Sequence, residues 1–149
     1  MSLAANPMQL LGRESGSSWR EDVTPIVFVV DDEKIIALTL ELILIQKGFD
    51  ARSFVDPLDA LYAARIVAPD LLITDVVMPQ MNGIELAIHF KVDCPNCRIL
   101  LFSGQGATND LIQNALAQGH AFELLAKPVH PDELMETIEQ ILHSSGSRA

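Results

Sequence analysis

Apolar and polar positions along this chain alternate between two rhythms. The run Ile26-Val27-Phe28-Val29-Val30 is unbroken, as expected of a strand buried on both faces, whereas Ile35, Leu38, Leu42 and Ile45 recur at helical spacing until Gly48 stops the helix. FDARSF (49–54) alternates like a strand, Asp56-Pro57 opens a helix through about Val67, and Pro69 clears the way for a third strand, DLLITD (70–75). Gly83 precedes a helix to about Val92, and RILLF (98–102) reads as a buried strand. Ala107 to Gln118 is helical and stopped by Gly119, AFELLA (121–126) is a last strand, and a helix starting at Pro131 carries Leu134, Ile138 and Ile141 on one face. Five such βα units predict an α/β domain with a parallel sheet covered by helices on both sides. Residues 1–23, polar and Ser/Gly-rich around RESGSSWRED, read as a disordered tail outside the domain, residues 24–143 as the domain, and 144–149 as a C-terminal tail or linker start.

Composition narrows the function classes. A length of 149 residues with 49% hydrophobic content suits one globular domain. A formal charge of −10 argues against direct binding to nucleic acid or an anionic membrane, and favours a cationic partner: a metal ion or a basic protein surface. No apolar run has membrane-spanning length and no signal peptide is visible, so the expected location is the cytoplasm. The CxxC of Cys94 and Cys97 follows a helix instead of starting one, so the dipole does not favour a thiolate, and reduced structural thiols are expected there. His89, His120, His130 and His143 have no catalytic spacing.

In open parallel sheets ligands bind at the carboxyl ends of the strands. Here those ends carry Asp31-Asp32, Asp75, Ser103 and Lys127-Pro128, which converge on one edge if the strands run in the order 2-1-3-4-5. Two carboxylates about 4 Å apart cost on the order of 4 kcal/mol at an effective dielectric near 20, so the Asp31-Asp32 pair needs a counterion, a proton or water. A cluster of hard oxygen donors without His or Cys suits Mg²⁺. Asp75, in mid-sheet, is then the best placed nucleophile for a phosphoryl group, with Lys127 and the Ser103 hydroxyl holding phosphoryl oxygens. Each signal alone has a plainer reading, such as a helix cap or a turn residue; their convergence on one edge favours a phosphoryl site.

The stretches VVDDEK, TDVVMPQMNG, LLFSG and LLAKP, in this order between about Pro25 and His143, resemble the receiver domain of two-component response regulators. The resemblance implies a flavodoxin-like doubly wound fold. It further implies that Asp75 is the phosphoacceptor, that Asp32, Asp75 and the Val77 backbone carbonyl bind Mg²⁺ directly with Asp31 helping through water, and that Ser103 is a switch hydroxyl paired with Lys127. A cis bond before Pro128 is common in the family. The implied partner is a histidine kinase or histidine phosphotransfer protein, with an unnamed downstream effector. At the position three residues before the Lys, where receivers carry Tyr or Phe, this chain has Leu124, with Phe122 two residues earlier on the same face.

Other classes fit less well. A haloacid dehalogenase-type phosphatase needs a second Asp two residues after its nucleophile, and those positions are Glu33 and Val77. Gly104-Gln105-Gly106 lacks the third glycine of a dinucleotide loop, residue 109 being Asn. A degenerate receiver acting only as an interaction module is the main alternative, although every acidic and basic site residue is present. The chain is expected to be a stand-alone receiver or a fragment of a longer protein. A second stripe on the first helix, Ile36, Leu40 and Ile43, would serve a weak homodimer but is expected to be covered by its own domain.

Overall fold

Continuous apolar runs become the strands and the capped segments the helices. A computed structural model describes residues 23–104 and 109–148, with side chains to residue 143. In chain order the elements are β1 (Ile26–Val30), α1 (Lys34–Gln46), β2 (Asp50–Phe54), α2 (Pro57–Ile66), β3 (Leu71–Asp75), α3 (Gly83–Asp93), β4 (Arg98–Ser103), α4 (Asn109–Ala117), β5 (Glu123–Ala126) and α5 (Pro131–Arg148). The sheet is parallel in the order β2-β1-β3-β4-β5, as expected. The tail expected over residues 1–23 lies almost wholly outside the described residues, as does the start of the helix expected from Ala107. α5 continues to Arg148, past the residues read as a linker start, because extending an existing helix adds a hydrogen bond per residue at low cost.

Local signals fix the ends that matter for the site. Asp56 caps α2 by accepting from the Leu58 N–H at 2.9 Å, with Pro57 at the first helical position. Asn82 and Glu85 form a capping box on α3: the Glu85 N–H donates to Asn82 Oδ1 at 2.8 Å and the Asn82 N–H to Glu85 Oε1 at 3.0 Å. Both faces of the sheet are packed. Phe28, Leu72, Leu86, Phe90, Ile99 and Leu101 form the layer on the α2–α4 side, with the Phe28 ring 4.9 Å from that of Phe54 and 6.4 Å from that of Phe90. Val27, Val29, Leu44, Ile73, Leu100, Leu134 and Ile138 form the other, under α1 and α5. No described helix is long and apolar enough to cross a membrane.

The helical spacing of α1 left its inner face open, and the structure decides it. The stripe that announced the helix faces outward: Ile35 is 79% exposed, Leu42 61%, Ile45 48% and Leu38 41%. The buried residues are Ala37 and Leu44, with Leu40 packed against the core. KIIALTLELILIQ is apolar on nearly every face, so periodicity alone does not choose the inner one. Two residues do: small Ala37 allows close approach to the sheet, and Glu41 accepts from the Ser53 N–H at 2.8 Å and from the Ser53 hydroxyl, tying that flank to β2. Ile36, Leu40 and Ile43 are half-buried, as expected of residues covered by their own domain, and line a groove of about 590 Å³ beside Pro128 and Val129.

Candidate active site

The carboxyl ends of β1, β3, β4 and β5 bring the five expected residues, Asp31, Asp32, Asp75, Ser103 and Lys127, to one edge. The registers set Asp75 opposite Phe102 and Ser103 opposite Ala126, and the Lys127 N–H donates to the Ser103 carbonyl at 2.9 Å. Asp31 follows β1, its N–H donating to the Phe54 carbonyl at 3.1 Å, while its carboxylate accepts from the Glu33 N–H at 2.9 Å at the entry to α1. The peptide bond between Lys127 and Pro128 is cis, as expected.

The Lys127 ammonium bridges two carboxylates. Its Nζ lies 3.4 Å from Asp31 Oδ2 and 3.3 Å from Asp75 Oδ2. Asp31 is buried and Asp75 nearly so, whereas Asp32 is exposed. One carboxylate oxygen from each of Asp31, Asp32 and Asp75 lies within 4.8 Å of the others. Burial pushes the Asp75 carboxyl above its ordinary value; the Lys127 charge opposes this and the Asp31 charge adds to it. For Lys127, burial favours the neutral amine, but Asp31 and Asp75 together outweigh it and raise its pKa. The two carboxylates thus hold Lys127 in its charged form, whereas Asp75 takes up a proton more readily than an ordinary carboxylate.

All three carboxylates offer hard oxygen donors and the neighbourhood lacks His and Cys, so the residues fit Mg²⁺ in preference to softer metals. Val77, whose carbonyl the resemblance assigns to the metal, is exposed two residues after Asp75, and its N–H favours the ionised Asp75. Ser103 is half-buried at the same edge.

Gly83 has a role that the sequence reading did not give it. A Cβ there would run into the Asp75 carbonyl oxygen, far inside contact distance, and the Gly83 N–H donates to the Val76 carbonyl at 2.8 Å. The start of α3 therefore lies directly against the backbone of Asp75, which only glycine permits. The available signal was a glycine at a helix N-terminus with no conformational need for one.

Leu124, on β5, is 44% exposed, and Phe122, expected within the strand but lying just before its first residue, is half-buried. Both line a small cavity of about 80 Å³ with Leu101, Ile112 and Ala115, on the same face as expected, and Phe122 stacks on His120 with centroids 6.2 Å apart. Cys94 and Cys97 are free and buried; burial pushes the Cys97 thiol up to about 12, in line with an inert structural residue.

Known proteins share this architecture. Over 128 residues, 85% of the chain and 54% of the relative, the sequence is 29% identical to the probable transcriptional regulatory protein TcrX of Mycobacterium tuberculosis. It is 34% identical over 116 residues, 78% of the chain and 24% of the relative, to the DNA-binding transcriptional regulator NtrC of Proteus hauseri. The chain thus spans about half or less of these relatives' length. The structure of the Vibrio cholerae chemotaxis protein CheY4 matches with a TM-score of 0.71 at 26% identity, over 80% of this chain and 99% of that one. The family model for the response regulator receiver domain matches residues 27–139, so with the parallel sheet and the acidic edge already described the chain belongs to the receiver domains of two-component signalling.

Proposed function

We propose that Asp75 accepts a phosphoryl group from the phosphohistidine of a histidine kinase or histidine phosphotransfer protein, in a Mg²⁺-dependent reaction in the cytoplasm, and that the region around Ser103 then changes conformation to signal to an effector. The observation that carries this reading is the Lys127 ammonium 3.4 Å from Asp31 and 3.3 Å from Asp75, with Asp32 completing the cluster. An Asp75 carboxylate oxygen attacks phosphorus while the bond from phosphorus to the imidazole nitrogen breaks, its electron pair returning to the ring. The product is an acyl phosphate, which water hydrolyses in time.

Phosphorylation removes the Asp75 carboxylate charge to which Lys127 was paired and sets the phosphoryl group's negative charge beside it. The ammonium then turns to the phosphoryl oxygens, and the Ser103 hydroxyl at the neighbouring strand end donates to another. Asp32, Asp75 and the Val77 carbonyl would hold Mg²⁺, with Asp31 helping through water. The ion would supply neutralisation of the carboxylates and of the charge on the transferring group.

Intact mass spectrometry after treatment with acetyl phosphate and Mg²⁺ tests the assignment. One phosphoryl mass is expected on the unaltered protein and none on Asp75→Asn. An equal gain on Asp75→Asn places the acceptor elsewhere, and no gain on either leaves the chain as a phosphorylation-independent interaction module.

A further inference from the structure

We propose that the amino-terminal edge of the sheet holds a second binding site, for a free α-amino acid with an apolar side chain, in the cavity between β4, β5 and α5. This cavity has a volume of about 450 Å³, and its wall carries Lys91, Arg98, Glu123 and Gln140 beside Phe122 and Ile141. Arg98 and Ser103 are the first and last residues of β4, about 16 Å apart at strand rise, so the cavity lies at the opposite end of the sheet from Asp75.

Two opposite charges face this cavity without meeting. The register pairs Leu100 with Glu123, so Arg98, two residues before Leu100, shares a face of the sheet with Glu123, one diagonal step away. Leu100 and Ile141 pack in the same layer, which makes that face the one under α5. A guanidinium and a carboxylate so placed are within side-chain reach of each other. Among the described residues, however, neither Arg98 nor Glu123 forms an ion pair, and the enclosed Arg98 Nε–H has no hydrogen-bond partner. A charged donor shut away from water without an acceptor is costly, and a ligand carboxylate at the guanidinium would supply the missing counter-charge. Lys91 adds a second cation: its Nζ donates to the carbonyl of Cys97, the neighbour of Arg98, at 3.3 Å and keeps two further N–H groups.

The set of groups selects the ligand. Two cations and one carboxylate around one cavity suit a molecule that carries a carboxylate and an ammonium a few bonds apart. Arg98 and Lys91 take the carboxylate, and Glu123 with the Gln140 amide oxygen takes the ammonium. Phe122 and Ile141 offer apolar surface to the rest of the molecule, and the volume is in the lower part of the range of small-molecule cavities. A simple anion would meet Glu123 with nothing to balance it, in a chain of net −10, whereas a zwitterion brings no net charge into that field.

Titration of the isotope-labelled full chain with L-leucine and, separately, L-phenylalanine, followed by two-dimensional NMR, tests this. Saturable shifts are expected at the amides of Arg98, Glu123 and Gln140, in the millimolar range. Isocaproate, which is leucine without its amino group, and isoamylamine, which is leucine without its carboxylate, should each bind more weakly by about tenfold or more. Glu123→Gln, on an exposed side chain, should lose about tenfold for leucine while keeping isocaproate, and Arg98→Gln should lose both. No saturable shift with either amino acid overturns the proposal and leaves Arg98 to water or to Glu123. Isocaproate binding as tightly as leucine, or Glu123→Gln binding leucine like the unaltered chain, overturns it as well and makes the cavity a site for simple anions. Shifts confined to the Asp75 edge also count against it. Because Arg98 is partly enclosed, melting of Arg98→Gln is checked first; if it does not fold, Glu123→Gln decides.

Discussion

Replacing Asp75 by Asn is expected to make the metal-free protein more stable at neutral pH, although it removes the proposed acceptor. The side chain is 11% exposed, and its carboxylate sits within 4.8 Å of oxygens of Asp31 and Asp32. At an effective dielectric near 20, repulsion from Asp31 at that separation is about 3.5 kcal/mol, and attraction to Lys127 at 3.3 Å is about 5 kcal/mol. Exposed Asp32 adds about 1 kcal/mol of solvent-screened repulsion, and burying the carboxylate costs several kcal/mol more. The neutral amide therefore gains about 1–3 kcal/mol net, or about 3–10 °C in melting temperature. The sign with pH follows from the raised Asp75 pKa: the folded state holds this proton more tightly than the unfolded chain, where the carboxyl keeps its ordinary value of 3.8. Stability from that proton is complete below 3.8 and is lost as pH rises through the folded value. The advantage of Asn should accordingly be largest at neutral pH, shrink as pH falls toward 3.8, and narrow when Mg²⁺ is added. Thermal melting followed by circular dichroism at several pH values, with and without Mg²⁺, measures all three. An Asn variant equal or inferior to the unaltered protein at neutral pH without metal, or a gap that widens in acid, would refute the electrostatic account.

Three further outcomes are expected. Gly83→Ala should destabilise the fold by about 2 kcal/mol or more and slow phosphoryl uptake, because its methyl must displace the Asp75 backbone; chemical denaturation together with the mass assay reads both. Asp32→Asn should weaken Mg²⁺ binding more than Asp31→Asn does, by about tenfold, as Asp31 is already engaged by Lys127 and the Glu33 N–H; titration of each variant with the metal decides, equal losses counting against the assigned roles. Cys97 should resist iodoacetamide at pH 8 in the folded protein and react once it is unfolded, since its thiol lies near 12; rapid native alkylation would contradict its burial.

The strands were legible because a parallel sheet buried on both faces demands nearly unbroken apolar runs, which Ile26–Val30 and Arg98–Ser103 largely supply. The site was legible for a related reason: charged residues directly after such runs, like Asp31, Asp75 and Lys127, have few structural reasons to be there. The inner face of α1 was not legible, because its sequence has apolar residues on all sides and the choice was made by Ala37 and by Glu41 reaching Ser53 on another element. The role of Gly83 was hidden similarly, as the clash it avoids is with a residue eight positions earlier. Nor could spacing along the chain tell which of Asp31 and Asp32 would turn inward to share Lys127.

The single ammonium shared by two carboxylates also sets the field that an incoming charged group meets. Asp31, Asp32 and Asp75 against Lys127 leave two negative charges at the edge, within a chain of −10. A divalent cation cancels those two locally and leaves the surrounding field in place. A small free anion is repelled on its way in and arrives at a rate that rises with salt, whereas a phosphate presented on a basic protein face is drawn in by the same field and arrives more slowly as salt increases. Long-range electrostatics thus discriminates between charged partners before any contact forms.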